Sequence, residues 1–348
     1  MFFNVDDSFK YRVQAMMDAP NTVELRLGKD VLGLYVDGVP NLITGVLKEW
    51  TEQAKIEPVR LPGYWIHKEG ETIPMGQAPN NTEKVVYFLH GGAYIHLSAH
   101  PDDLSSNIPR GLLKYCESIK RSFAIDYRLC SVPPNPTQNT FPTALIDALA
   151  GYAYLVNTVG YDPSQIIVCG DSAGGNLALA LTRYLVEYKD KDVAGLPSPP
   201  GALLLLSPWC DMSGSHITSD SSFFRNAQSD LLVNTLEPGQ LNAPRAFIAP
   251  FQTSITENPY LSPSCKTVKS ETEARFKDFP RAFITAGDSE LLLDEIRTLQ
   301  QKMKEELGQE NVRYYEAKDA FHDYTVFAWA EPERTETHIA ISEWVKIL

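Results

Sequence analysis

Gly170-Asp171-Ser172-Ala173-Gly174 is the segment of this chain best equipped to do chemistry. It has the form G-x-S-x-G, comes directly after the apolar run Ile166-Ile167-Val168-Cys169, and leads into helix-like sequence from Asn176. At such a strand-turn-helix elbow the serine projects from the carboxyl edge of a sheet. The flanking glycines let neighbouring backbone come close, and the following helix N-terminus favours negative charge developing at the serine. Upstream by 82 residues, His90-Gly91-Gly92-Ala93-Tyr94 follows a second apolar run, Val85 to Leu89. Acyl transfer passes through an oxyanion that needs preorganised N–H donors in a water-poor site. Gly91 and Gly92 are the expected donors from this loop, with the N–H of Ala173 completing the hole. His90 itself is expected to brace the loop. A serine hydroxyl at its free pKa is a poor nucleophile, so the same chemistry requires a base and an acid that orients it.

The elements that must hold these residues follow an alternating rhythm. Strands are predicted at Lys84 to His90, Ser122 to Tyr127, Gln165 to Gly170, Ala202 to Ser207, Arg281 to Ala286 and Val312 to Glu316. Helices are predicted at Phe141 to Val159 with Pro142 in the first turn, Asn176 to Tyr188, Leu291 to Leu307 before Gly308, and Pro332 to Leu348. This alternation argues for a doubly wound α/β domain with a mostly parallel sheet. Two segments break the rhythm. Residues 1–78 carry one amphipathic stretch, with Leu42, Val46, Leu47, Trp50 and Ala54 near one face. Residues 213–258 are rich in Ser and Asn but contain Phe223, Phe224, Phe247 and Phe251, and excursions of this length in α/β proteins tend to be lids or binding elements. The expected organisation is an N-terminal cap segment at 1–78, a core at 79–212, a cap insertion at 213–258 and a second core part at 259–348. The Pro-rich stretch Val193 to Gly201 is a surface linker, and no internal repeat is present.

With these pieces in order, the chain resembles the hormone-sensitive-lipase-like branch of the α/β-hydrolases, esterases marked by an H-G-G-G loop and a G-D-S-A-G-G elbow. Asp126-Tyr127-Arg128-Leu129, Phe141-Pro142-Thr143-Ala144-Leu145 with Asp147, Leu206-Ser207-Pro208-Trp209 and Asn258-Pro259-Tyr260-Leu261-Ser262-Pro263 extend the resemblance from about Lys84 to the C-terminus. The departures are Ala93 in place of a third glycine, which keeps its N–H, and Cys130-Ser131 where Ala-Pro is usual. The resemblance implies an α/β-hydrolase fold whose N-terminal segment and insertion form a helical cap. It also implies the chain order Ser, acid, His. Of the seven histidines, His322 and His338 follow a plausible acid; His322 sits in a loop after the last strand, whereas His338 is mid-helix and expected to be solvated. The family's acid stands four residues before an Asp, which matches Glu290 ahead of Asp294; Asp288, nearer the strand end, is the rival. Asp294 and Glu295 are read as a solvated first helical turn. Tyr94, Phe223 and Phe224 are the expected substrate-binding residues.

Composition limits the alternatives. The 348 residues are 43% apolar and 22% charged, and 31 Lys+Arg against 44 Asp+Glu give a net charge of −13, which disfavours nucleic-acid and anionic-membrane partners. The longest apolar run, Ala202 to Leu206, is far short of the roughly 20 residues of a spanning helix. The first twenty residues offer no signal-peptide core, and five dispersed cysteines lack any C-x-x-C pair, so the expected location is cytoplasmic. His96 and His100 have metal-like spacing but no third ligand, so neither metal nor organic cofactor is expected. The resulting expectation is a serine carboxylester hydrolase for small-molecule esters with short to medium acyl chains. The alternatives are a dedicated deacetylase of a bulky metabolite such as a sterol ester, an arylformamidase, an acyltransferase, and a non-catalytic ligand receptor on the same scaffold.

Overall fold

The computed structural model describes residues 24–28, 31–131, 135–232, 242–269 and 272–348. The first part of the expected cap segment (1–23) and the middle of the expected insertion (233–241) lie outside the described residues. In chain order the principal elements are β1 (Leu32–Val36), α1 (Gly45–Ala54), β2 (Leu61–His67), β3 (Lys84–Leu89), α2 (Asn107–Tyr115), β4 (Ile119–Ile125) and α3 (Thr143–Ala153). There follow β5 (Ile166–Asp171), α4 (Ser172–Tyr188), β6 (Ala202–Leu206), α5 (Ser222–Arg225), α6 (Asn242–Phe247), β7 (Arg281–Gly287), α7 (Leu293–Leu307), β8 (Val312–Ala317) and α8 (Glu333–Val345).

The strands form an eight-stranded sheet in the order β1-β2-β4-β3-β5-β6-β7-β8. Every pairing from β4 to β8 is parallel, and β1 and β2 add an antiparallel edge. The alternation of strand side chains sends Val85, Tyr87 and Leu89 into one apolar layer and Val86 and Phe88 into the other. The first layer contains Leu47 of α1, Leu145 and Leu149 of α3, Leu177 and Leu181 of α4 and Ile296 of α7; the second contains Ile108 and Leu112 of α2 and Ile341 and Trp344 of α8. Strands buried on both faces explain why the sequence reads as continuous apolar runs.

The six strands expected from the sequence are present, and the segment expected as an N-terminal cap contributes two further strands to the sheet. Residues 32–36 and 61–67 are the antiparallel strands of the sheet, joined by Leu32–Trp65 and Val36–Leu61 pairings. Their Gly and Pro content, Leu-Gly-Leu-Tyr-Val and Leu-Pro-Gly-Tyr-Trp-Ile-His, masked the strand pattern. Helix α2 was also not anticipated, because Pro109 and Gly111 interrupt its periodicity; Pro109 lies in the first turn, where a missing N–H costs nothing. Pro142 stands at the N-cap of α3, whose C-terminal end continues as a π-helical turn over Tyr154–Val159.

His338 is buried rather than solvated: it is 1% exposed, and its Nδ1 bonds the Arg334 carbonyl at 2.7 Å. The ring fits against Gly111, where a Cβ would lie 2.1 Å from His338 Nε2. Gly111→Ala is therefore expected to destabilise the fold by about 1–2 kcal/mol, overpacking outweighing the higher helix propensity of alanine. Urea denaturation measures this, and an unchanged or raised midpoint would refute the α2–α8 packing account.

Candidate active site

The elbow is built as its sequence requires. Strand β5 ends at Asp171 and α4 begins at Ser172 itself, four residues before the expected start at Asn176. Glycine's poor helix propensity hid those first residues, but close packing demands them. A Cβ at Gly170 would lie 2.1 Å from the Gly174 carbonyl oxygen, and one at Gly174 would lie 2.0 Å from that of Leu89. Ser172 occupies the left-handed region at φ +49°, a strained setting that persists only where surrounding structure fixes it. Its carbonyl accepts the Trp209 N–H at 2.9 Å, anchoring the elbow to the chain leaving β6.

His322 and Glu290 reach Ser172 from the loops after β8 and β7. His322 Nε2 lies 2.9 Å from Ser172 Oγ, and both residues are buried. Glu290 is fully buried, and its Oε2 stands 3.8 Å from His322 Nδ1 while accepting from Ser207 Oγ at 2.6 Å and the Gly287 N–H at 3.2 Å. At 3.8 Å this is ion-pair rather than hydrogen-bond distance, and His322 Nδ1 and Glu290 Oε1 are both buried without hydrogen-bond partners. Burial pushes the Glu290 carboxyl up, with His322 working against it. Burial disfavours a charged His322 ring, but Asp323 and Glu290 outweigh it and hold the imidazole well above the usual histidine range. Asp288 is directed elsewhere: its Oδ1 accepts the Asp319 N–H at 2.8 Å and the Ser289 hydroxyl at 2.9 Å, bracing the two loops against each other.

The expected oxyanion donors need one correction. The Gly91 N–H donates to Asp171 Oδ1 at 3.0 Å, so it is occupied. Among the described residues, the N–H groups of Gly92 and Ala93 have no such acceptor, and they belong to a left-handed run, Gly92 at φ +99°, Ala93 at +54° and Tyr94 at +63°. Ala173 lies in the first turn of α4, where N–H groups lack intrahelical acceptors. His90 braces the loop: its Nδ1 bonds the Gly91 carbonyl at 2.7 Å, its ring stacks on Tyr127 at 4.2 Å, and the Tyr127 hydroxyl donates to the His90 carbonyl at 2.6 Å.

Tyr94 is 2% exposed, its ring stacked on Phe247 at 3.9 Å and its hydroxyl bonded to Asn176 at 2.8 Å. Phe223 and Phe224 pack edge to face on α5, and Phe224 is 54% exposed. Glu295, expected to be solvated, is buried and accepts the N–H groups of Cys210 and Asp211 at 2.8 and 3.2 Å; Asp294 accepts the Ser222 N–H at 2.8 Å. These contacts pin the start of the 213–258 excursion to α7. Three further residues, beyond those expected at the site, touch its members. Asp230 accepts N–H groups of both His322 and Leu291, Ser207 holds Glu290, and Asp323 Oδ2 lies 3.1 Å from His322 Nε2. Their partners lie 61 to 92 residues away or, for Asp323, next to it in the loop, so spacing along the sequence does not mark these contacts.

Among the described residues, no group of three or more His, Cys, Asp or Glu side chains is arranged to hold a metal ion, and no helix is long and apolar enough to cross a membrane. The model of a family with the alpha/beta hydrolase fold matches residues 85–326, a span that contains the H-G-G loop, the elbow, Glu290 and His322. The chain is 26% identical over 268 residues to esterase LipU of Mycobacterium tuberculosis, covering 77% of this chain and 79% of that protein. It is 27% identical over 269 residues to an acetyl-hydrolase of Streptomyces hygroscopicus, with 74% and 73% covered. A solved hormone-sensitive lipase from a metagenome library shares the fold at a TM-score of 0.62 and 23% identity, covering 98% of this chain and 97% of its own. Since the family match takes in most of the sheet together with the elbow and the loops facing it, the chain belongs to the α/β-hydrolase-fold family and is an ester-hydrolysing enzyme, in keeping with its hormone-sensitive-lipase-like motifs.

Proposed function

We propose that this enzyme is a serine carboxylesterase that forms an acyl-enzyme on Ser172, with His322 as base, Glu290 as its orienting acid, and the N–H groups of Gly92, Ala93 and Ala173 as the oxyanion hole. The observation that carries this reading is the 2.9 Å contact between Ser172 Oγ and His322 Nε2 at the elbow. As Oγ attacks the ester carbon, its proton passes to Nε2 and the carbonyl electron pair moves onto oxygen, facing the loop donors. Collapse returns the pair, breaks the bond to the alcohol oxygen, and delivers the Nε2 proton to the leaving alcohol. Water then repeats the sequence and releases the acid. Glu290 stabilises the imidazolium of each step without taking the proton.

A cap formed by α1 and the described parts of the 213–258 insertion fits this reading. Trp50 of α1 packs on Phe141, Phe251 and Tyr260 at 5.0–6.0 Å, Gln53 donates to the Pro250 carbonyl, and Phe247 stacks on Tyr94 beside the oxyanion loop. Aromatic walls that close on the loop favour small acyl groups. All five cysteines are buried free thiols, which suits the reducing cytoplasm. With p-nitrophenyl esters of graded chain length, kcat/KM is expected to be highest for short to medium acyl chains, with no jump at an oil-water interface. Interfacial activation on emulsified long-chain lipid would contradict the closed pocket.

A further inference from the structure

The catalytic histidine carries a second carboxylate that the mechanism above leaves unused. Asp323 Oδ2 lies 3.1 Å from His322 Nε2, the nitrogen that Ser172 Oγ also contacts, whereas Glu290 faces the opposite nitrogen. Nε2 has room for one proton. An ionised Asp323 keeps that proton on the ring and so opposes the use of Nε2 as a base. Nε2 is also the atom that must protonate the departing alcohol, so the alcohol half of a bound ester lies beside the Asp323 carboxylate. Among the described residues, no Lys or Arg forms an ion pair with Asp323 or Glu290. Asp323 and Glu290 both form their ion pairs with His322, while Asp171 and Asp230 are satisfied by backbone N–H groups. Asp323 Oδ1 is buried without a hydrogen-bond partner, and the side chain is 15% exposed. The same loop carries a group of aromatic rings, Phe321, Phe327 and Trp329, with centroids 5.1–5.7 Å apart and Trp329 59% exposed. A carboxylate and aromatic rings carried by one loop are the groups that attract an organic cation.

We propose that Asp323 is a specificity-determining residue that selects esters of amino alcohols, the cationic nitrogen near the ester oxygen drawing the carboxylate away from His322 Nε2 and freeing that nitrogen to accept the Ser172 proton. This rests on the serine-esterase reading. Alcohols bearing a carboxylate or phosphate are correspondingly disfavoured.

The test compares acetylcholine with its uncharged carbon isostere, dimethylbutyl acetate, on the intact protein. The wild-type kcat/KM is expected to favour the cation by about tenfold or more, equivalent to about 1.4 kcal/mol, with the preference shrinking as salt is added. Asp323 sits at φ +55°, a conformation that asparagine tolerates equally well, so Asp323→Asn removes the charge without backbone strain and is expected to bring the ratio close to one. A wild-type ratio at or below one overturns the proposal with no variant needed, as does an undiminished ratio in Asp323→Asn. If turnover of both esters is too slow to measure, inhibition of p-nitrophenyl acetate hydrolysis by choline against dimethylbutanol makes the same comparison, and equal inhibition overturns the proposal. Absence of both p-nitrophenyl acetate hydrolysis and fluorophosphonate labelling would instead remove the serine-esterase reading.

Discussion

Ser172→Ala is expected to abolish fluorophosphonate labelling and lower ester turnover by a factor on the order of 10⁴ to 10⁶, about 5–8 kcal/mol of barrier, while leaving the fold intact. The effect is this large because the variant loses the attacking atom itself. What survives is the oxyanion hole and substrate binding, and these alone give modest catalysis. The fold should tolerate the change, because alanine keeps the left-handed backbone strain already present at φ +49° and gives up only the hydroxyl facing His322. His322→Ala should fall into the same range. The pair acts as one unit, so the double variant should be hardly worse than either single variant, and far from the product of the two losses. Mass spectrometry of fluorophosphonate-treated protein locates the label. A label found on Ser172→Ala protein at wild-type yield, or a double variant whose losses multiply, would sink the assignment of these two residues as nucleophile and base.

The parts of this site that were legible in the sequence are those whose constraints are local. The elbow shows because Gly170 and Gly174 must lie within five residues of each other around Ser172, and the loop His90 to Tyr94 shows because its donors are consecutive backbone groups. Strands buried on both faces appear as unbroken apolar runs, so β3 and β5 to β8 could be located within a residue or two. What could not be read depends on tertiary partners. Gly91 looks identical to Gly92 as a candidate donor until Asp171, 80 residues on, is seen to take its N–H. Glu295 looks like a solvated helix-start residue, and only its two bonds to Cys210 and Asp211 N–H groups show why a buried carboxylate is tolerated there. His338 was misread for the same reason, since Gly111 creates the space for its ring from another helix. The strands β1 and β2 were missed because Pro62 and Gly63 argue against a strand in isolation; Pro62 is tolerated near the start of β2, where the register with β4 begins only at Gly63.

The acid offers the sharpest division between sequence spacing and three-dimensional placement, and Glu290→Gln is expected to cut turnover by about 10³- to 10⁴-fold, whereas Asp288→Asn should cost less than tenfold. Glutamine keeps the shape and can still accept from Ser207 Oγ and the Gly287 N–H, so the pocket should fill as before. It cannot supply the negative charge that stabilises imidazolium in the transition state. Removing that charge also lowers the histidine's affinity for its proton, so the acid limb of kcat/KM should move to lower pH even as its plateau falls. That is the opposite of a simple loss of folded enzyme, which would lower the plateau without moving the limb. Asp288 faces the Asp319 N–H and the Ser289 hydroxyl, so its amide variant weakens a loop brace and leaves the charge near His322 unchanged. The decisive quantity is the ratio of the two losses. If Asp288→Asn is the more damaging by tenfold, about 1.4 kcal/mol, and it alone moves the acid limb, then the loop after β7 rearranges in the working enzyme to bring Asp288 to the histidine, and Glu290 serves only to fill the pocket behind Ser207.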